Sequence, residues 1–329
     1  MTGANGVGKT NLLEALHVGS QGFSQRTRAE IRLVRFGETG TRVALVGAED
    51  GASFETEVRI AISEPKRVSL NGSALPSVEE LRTRLAALAF TPDRLAIVKG
   101  GPVVRRAYLD RMLGRLLPAR SALGAEYGRA LAQRNAALRR IRAGLSTLDV
   151  LAPWNGRLAE LGAELDRSRA EVIGLLAPLF ARHAAMLGLG AAALSYDERG
   201  LTVQELEERL DRDVERGTTG IGPHLRDVAV TAGGRDLRTY GSQGEQRTGV
   251  LALLLAEAEL LAERRGTPPL LLLDDVFSEL DEGRRAALVN ALPSGAQALV
   301  TATEPEAYPD AAPEPALVLA IRPGEAQPL

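Results

Sequence analysis

Near the start of the chain, Gly3-Ala4-Asn5-Gly6-Val7-Gly8-Lys9-Thr10 satisfies the pattern G-x-x-x-x-G-K-[ST]. Glycines in those places let backbone N–H groups fold round a phosphate, and the helix start that follows adds a favourable partial charge. The lysine reaches the terminal phosphates, and the threonine hydroxyl suits Mg²⁺. The chemistry predicted is nucleoside triphosphate binding; the bland alternative is a glycine-rich loop before an ordinary helix.

Two further stretches could act on the same ligand. Leu270-Leu271-Leu272-Leu273-Asp274-Asp275 reads as a buried strand ending in two carboxylates. At the carboxyl edge of a parallel sheet, Asp274 can support the Mg²⁺ shell and Asp275 can orient or deprotonate an attacking water. Alone the pattern also fits any apolar strand that ends in a turn. Ser278-Glu279-Leu280-Asp281 follows at once, and there Asp281 can be a simple helix N-cap. Tyr240-Gly241-Ser242-Gln243-Gly244-Glu245-Gln246 precedes a long apolar helix and offers a second anion site at a helix start. One phosphate loop does not require a second, so this site is read as closing over the nucleotide of a neighbouring copy. The alternative is a loop with a serine cap.

The elements that position these residues follow from periodicity. Asn11–Val18 carries Leu12, Leu13, Ala15 and Leu16 at helical spacing. Val43–Val46, Phe54–Ile62 and Arg67–Leu70 alternate between turns at Glu49-Asp50-Gly51 and Asn71-Gly72, which predicts an antiparallel meander. Ser77 with Glu80 forms a capping box for a helix expected to end near Phe90. From Val103 to about Leu187 the pattern is helical, with breaks expected at Pro118, Pro153 and Pro178. A second capping box, Thr202 with Glu205, opens a charged helix, and 217–223 reads as a loop. Beyond it, Val228–Thr231, Gly244–Arg265, Leu270–Leu273, Gly283–Leu292, Ala298–Thr301 and Leu317–Ile321 alternate strand with helix, implying a largely parallel sheet.

The 329 residues, 45% apolar and 25% charged, exclude a mainly disordered chain. Cysteine is absent and the three histidines are His17, His183 and His224, so thiol catalysis, disulfide scaffolds and a zinc enzyme are not expected. The greasiest stretch, Gly249–Ala262, carries Glu257 and Glu259, so no membrane span and no membrane partner are expected. The start shows no basic-then-apolar signal, which points to a cytoplasmic location. Net charge is −2, yet 93–142 holds twelve basic against three acidic residues, a balance of +9 that leaves −11 for the remainder. Such segregation suits a polyanion; the alternative is a solvated helical face whose arginines pair with acidic neighbours such as those of 205–215.

Taken together, these residues resemble the ATP-binding-cassette class of ATPases and, within it, the RecF family of recombination proteins, over nearly the whole chain. The most specific stretches are Thr10-Asn11-Leu12-Leu13-Glu14-Ala15, Phe90-Thr91-Pro92-Asp93-Arg94-Leu95 running into Val98-Lys99-Gly100, Arg105-Arg106 before Leu109-Asp110, Gly222-Pro223-His224, and Tyr240 to Thr248. Thr10 and Ser242 stand 232 positions apart, leaving room for an inserted lobe. The lobe has no heptad run for a coiled-coil arm of the SMC kind.

The resemblance implies an α/β fold: an ABC-type P-loop ATPase head, with a mixed sheet and flanking helices, formed by 1–90 and 222–329, and an inserted, mainly helical lobe over 91–221. It implies ATP and Mg²⁺ as ligands. Gly3, Ala4, Asn5, Gly6, Val7, Gly8, Lys9, Thr10 and Asn11 would hold the nucleotide, Thr10 and Asp274 the metal, and Lys9 and Asp275 would act in catalysis. Ser242, Gly244 and Gln246 would act in trans. The implied function is ATP-driven dimerisation that clamps double-stranded DNA at gaps, single-strand/double-strand junctions or stalled forks, with slow hydrolysis. The implied partners are other recombination mediator proteins, which it helps to load the recombinase.

The departures are specific. A phosphate loop normally emerges from a strand, yet only Met1 and Thr2 precede this one, so the leading strand is expected to be absent and a central ladder to lack its partner. Thr301 and Thr303 lie where many cassette ATPases place a histidine, which leaves the γ-phosphate sensor open; His224 is read as structural. Alternatives are a truncated, catalytically silent DNA-binding or scaffold protein and an energising subunit of a transporter.

Overall fold

Turn residues and apolar runs set the order of elements, and their packing sorts them into two units. The computed structural model describes residues 1–27, 29–49 and 51–329, without the side chains of Glu49, Glu79 and Thr83. Unit 1 comprises Met1–Leu95, His183–Leu189 and Gln243–Leu329; unit 2 comprises Ala96–Arg182 and Gly190–Ser242. The chain opens unit 1 with α1 (Lys9–Gln21), β1 (Gly40–Glu49), β2 (Ala52–Ala61), β3 (Arg67–Leu70), β4 (Ser73–Ala74), α2 (Val78–Arg84) and β5 (Ala87–Phe90). Next come α3 (Ala96–Lys99), α4 (Pro102–Leu116), α5 (Leu123–Arg142), α6 (Ala152–Met186), β6 (Ala192–Tyr196), α7 (Val203–Glu208), α8 (Leu210–Arg216), β7 (Val228–Ala232), β8 (Arg235–Asp236) and α9 (Leu237–Tyr240). The last run is α10 (Gln243–Arg265), β9 (Leu270–Leu273), α11 (Glu282–Asn290), β10 (Ala298–Val300), β11 (Leu319–Arg322) and β12 (Glu325–Pro328).

In unit 1 the meander forms as expected, in the order β1-β2-β3-β4 with antiparallel pairing. Thr56, Val58 and Ile60 of β2 are buried at every second position, the signature of a strand with one covered face. That face packs against Val18 of α1 and Leu81 of α2. Asn71 and Gly72 both have positive φ, as a two-residue hairpin turn between β3 and β4 requires. The expected turn at Glu49-Asp50-Gly51 includes Asp50, which lies outside the described residues.

Ser77 accepts the Glu80 N–H and caps α2, but the helix stops at Arg84 rather than near Phe90. Ala87–Phe90 is instead a strand, β5, buried at all four positions and paired in parallel with β9. Covered on both faces, it lacks the alternation that separates a strand from a helix in sequence. The parallel order is β10-β9-β5. Thr2 bridges it to the antiparallel pair β11-β12, with parallel contacts to Ala302 and Ala320. The Met1 amine donates to Val300 O at 2.8 Å, Ala302 N to Met1 O at 3.0 Å and Ile321 N to Thr2 O at 2.8 Å. The residues before the phosphate loop are therefore paired on both sides, and the sheet of unit 1 is mixed.

Unit 2 is largely helical. Pro118 follows the end of α4 and Pro153 opens α6, but Pro178 causes no break: α6 runs through it. Its neighbours Leu176 and Phe180 are fully buried, and that packing outweighs the roughly 3 kcal/mol by which proline disfavours a helix interior. Val228–Thr231, expected in the parallel sheet, falls in β7, the middle strand of the antiparallel sheet β6-β7-β8. Sequence reading also missed β6, because a short strand after a long helix carries little periodic signal.

A charged network holds unit 2 together. Arg134, with no exposed surface, donates to Asn155 Oδ1, Asp213 Oδ2 and Thr219 Oγ1 at 2.8, 2.8 and 2.7 Å. Nearby, His224 Nε2 lies 3.1 Å from Thr219 O, a pure acceptor, so Nε2 carries the proton and Nδ1 accepts the Tyr127 hydroxyl at 2.7 Å. Burial pushes the His224 imidazole below its ordinary value and the Tyr127 hydroxyl above its own.

Asp213→Ala leaves the Arg134 charge buried without its counterion and should cost about 3–5 kcal/mol in denaturant melts. Removing both charges with Arg134→Met and Asp213→Leu should cost less than that single change. Because folding lowers the His224 pKa, the unfolded chain takes up a proton that the folded chain resists as pH falls below about 6.5. Stability should be full above that pH and decline below it, and His224→Gln should flatten this part of a Tm-against-pH curve.

Candidate functional site

The phosphate loop is shaped by its glycines. Gly3, Gly6 and Gly8 have φ of 152°, 84° and 113°, in the left-handed half of the map that a side chain disfavours. At Gly3 a Cβ would also stand 2.6 Å from the Ile321 carbonyl oxygen, so backbone contact with β11 excludes any other residue. Gly8 is the N-cap of α1 and has no side chain to offer, which leaves the first-turn N–H groups turned toward the loop. The Lys9 ammonium donates to the Gly3 carbonyl and, at 2.9 Å, to the Ala4 carbonyl. Asn11 is exposed on α1, with Arg26 Nη1 3.5 Å from its Oδ1.

Beside the loop, Asp274 is buried where β9 ends. Its N–H is held by Phe90 O of β5 at 2.9 Å. Thr10 Oγ1 lies 2.9 and 3.1 Å from its two carboxylate oxygens, and Thr301 Oγ1 donates to Oδ1 at 2.8 Å. The Thr301 hydroxyl in turn accepts the Asp275 N–H at 2.8 Å. One buried hydroxyl at the end of β10 thus links the Asp274 carboxylate to the backbone N–H of Asp275. The Asp275 side chain is exposed, and its backbone has a positive φ of 49°.

The residues fit a hard divalent cation. Among the described residues no group of three or more His, Cys, Asp or Glu is placed to hold a metal, so a protein-only cage is not offered. Octahedral Mg²⁺, with bonds of about 2.0–2.1 Å, sets adjacent ligand oxygens about 2.9 Å apart. Thr10 Oγ1 and Asp274 Oδ2 have that separation.

The stretch from Tyr240 to Gln246 opens a different helix, α10. Ser242 is exposed immediately before it and Gly244 is half-buried in its first turn, whereas Gln246 is buried. Structure therefore gathers Gly3, Ala4, Lys9, Thr10, Asp274 and Asp275 in unit 1, and sets the serine signature apart from them in sequence and in helix.

Two contributors had no role assigned from sequence. In sequence Thr301 stands out only as a position where many cassette ATPases place a histidine. Arg247, buried on α10, donates to the carbonyls of Asp275 and Val276 and to Ser278 Oγ, and no local pattern announces it. The +9 stretch is not all surface charge either. Arg105 is buried and paired with Asp227, and Arg134 with Asp213, while Lys99, Arg111, Arg129, Arg139, Arg140 and Arg142 are exposed.

The family model described as "RecF/RecN/SMC N terminal domain" matches residues 1–320. A protein of Symbiobacterium thermophilum named "DNA replication and repair protein RecF" is 37% identical over 322 residues, covering 92% of this chain and 84% of that one. One of the same name from Anaeromyxobacter dehalogenans is 40% identical over 340 residues, covering 95% and 89%. Among solved structures, "the recombination mediator protein RecF-ATP in RecFOR pathway" superposes with a TM-score of 0.85 at 30% identity, covering all of this chain and 90% of that chain. An Smc head bound to a domain of ScpA, at TM-score 0.57 and 16% identity, shares the fold. With the loop, the paired carboxylates and the signature helix already in place, these matches lead to one conclusion: the chain belongs to the RecF family of DNA replication and repair proteins.

Proposed function

We propose that this chain is an ATP-dependent, duplex-DNA-binding protein of recombinational repair and replication-fork maintenance, with slow ATP hydrolysis. The observation that carries this reading is the series of hydrogen bonds Thr10–Asp274–Thr301–Asp275 beside a glycine-shaped phosphate loop. In this reading the loop N–H groups from Gly3 to Thr10 cradle the phosphates, and Lys9 exchanges the Gly3 and Ala4 carbonyls for terminal phosphate oxygens. Asn11 lies at the same helix start. Thr10 and Asp274 hold Mg²⁺, which when bound neutralises charge on the β- and γ-phosphates. Asp275 orients the attacking water and accepts its proton.

Ser242 and Gly244, exposed or half-exposed at the start of α10, supply N–H and hydroxyl donors to ATP held by a second copy. Gln246, being buried, supports that helix start from within. Unit 1 acts as the ATPase head and unit 2 as the lobe; residues 222–242, which sequence assigns to the head of 1–90 and 222–329, pack in unit 2 with most of 91–221. The exposed arginines of 129–142 meet DNA phosphates, so the dimer clamps duplex at gaps, junctions or stalled forks with little sequence preference and works with other mediator proteins to load the recombinase. The location expected is the cytoplasm; among the described residues no helix is long and apolar enough to cross a membrane.

Lys9→Met should abolish ATP-dependent dimerisation in sedimentation and ATP-dependent duplex binding in fluorescence anisotropy; equal behaviour of variant and wild type would reject the reading. A paired Arg139→Ala, Arg140→Ala change should leave nucleotide binding intact. It should weaken duplex binding similarly across sequences and reduce the slope of log K against log[salt] by about 0.9 for each phosphate no longer neutralised.

A further inference from the structure

The loop that follows β9 contains Asp275 and Glu279, with φ of 49° and 64°, two of the four non-glycine residues with positive φ among those described. A single guanidinium reaches both. Arg247 Nη2 donates to Asp275 O, to Ser278 Oγ at 3.1 Å and to Val276 O at 3.3 Å, and Nη1 stands 3.8 Å from Glu279 Oε2. Ser278 Oγ also donates to Asp275 O at 3.0 Å, and the guanidinium carbon lies 5.3 Å from the centre of the Phe90 ring. The Arg247 side chain is only 4% exposed, so these bonds form away from competing water.

The Asp275 carboxylate is exposed, and packing of its own side chain does little to aim it. Its direction is set by its backbone, whose N–H is held by Thr301 and whose carbonyl is held by Arg247 and Ser278. A left-handed conformation at a non-glycine residue persists only where its surroundings over-determine it. Arginine suits this position because its planar fork can serve several acceptors while stacking on an aromatic face; the compact ammonium of lysine cannot do both.

We propose that Arg247 is a positioning residue: it holds Asp275 in its left-handed conformation and ties that carboxylate to α10, the helix that Ser242 opens. Any displacement of the start of α10 then reaches the water-orienting group through one side chain in its second turn. The inference rests on the function proposed above and deepens it.

The test uses the full chain with Arg247→Met, which keeps much of the volume and removes the donors, Arg247→Lys, Asp275→Asn and the Arg247→Met, Asp275→Asn double variant. Binding of a fluorescent ATP analogue with Mg²⁺, DNA-stimulated kcat and KM, and Tm are read for each. Arg247→Met should bind the analogue like wild type and keep its KM, while kcat falls by about tenfold to a hundredfold, the size of effect that slight misplacement of a reacting group produces. Arg247→Lys should recover part of that loss. In the Asp275→Asn background Arg247→Met should have no further effect, because both changes act on one group.

The proposal fails if kcat of Arg247→Met stays within about twofold of wild type, or if it adds its full loss on top of Asp275→Asn. It also fails if kcat, nucleotide affinity and Tm fall together, the pattern of a merely structural residue. Should Arg247→Met not fold, Arg247→Lys decides by the same split between kcat and binding. A wild-type chain that neither binds nor turns over ATP would instead overturn the function itself, an outcome the wild-type control separates from the others.

Discussion

Much of unit 1 is organised by one buried carboxylate. Asp274 accepts from Thr10 on one side and Thr301 on the other, and its backbone is pinned to Phe90. A carboxylate taken out of water needs partners for its lone pairs, and here the partners are hydroxyls from the phosphate-loop helix and from the end of the neighbouring strand. The phosphate-loop helix, β9 and the end of β10 are therefore bound to one another through its oxygens. Neutral hydroxyls satisfy the buried charge without cancelling it, so the carboxylate keeps its attraction for a cation.

The same economy of means appears around Asp275. Its N–H goes to Thr301 and its carbonyl to Arg247, so two neighbouring acidic residues share the Thr301 hydroxyl but differ in exposure. Burial lowers the pKa of the Arg247 guanidinium, while nearby Glu279 and Asp275 act in the opposite sense. A cation in that place is thus costly to desolvate, which is compatible with a function and adds little to stability by itself. In unit 2 the Arg134 network makes the contrasting case: it is fully enclosed, and the residues it joins lie on α5, α6, α8 and the following loop.

How much of this was legible beforehand depends on the range of the interaction concerned. The strings Gly3–Thr10, Asp274-Asp275 and Tyr240–Gln246 are contiguous, so residue type and spacing alone make them stand out in the sequence. The meander was legible because alternation over β2 records a single covered face. By contrast, the sequence of β5 reads as the end of a helix, since burial on both faces erases alternation. Pro178 reads as a break, since propensity says nothing of the buried Leu176 and Phe180 near it in α6. Assigning β7 to the parallel sheet failed for a related reason: a strand's pattern does not name its neighbour.

Sequence alone determined which groups are present and the local conformations they can adopt: glycines where the backbone must turn left-handed, a hydroxyl and a lysine at a helix start, and two carboxylates at a strand end. Those are properties of a few adjacent residues. Packing in three dimensions is what places Thr301 between the Asp274 carboxylate and the Asp275 N–H, Arg247 against the loop after β9, Thr2 between β10 and β11, and Arg105 and Arg134 in buried pairs rather than on the surface. Each of these depends on hydrogen bonds across long stretches of chain, and partners so distant are chosen by packing and leave no local mark in the sequence.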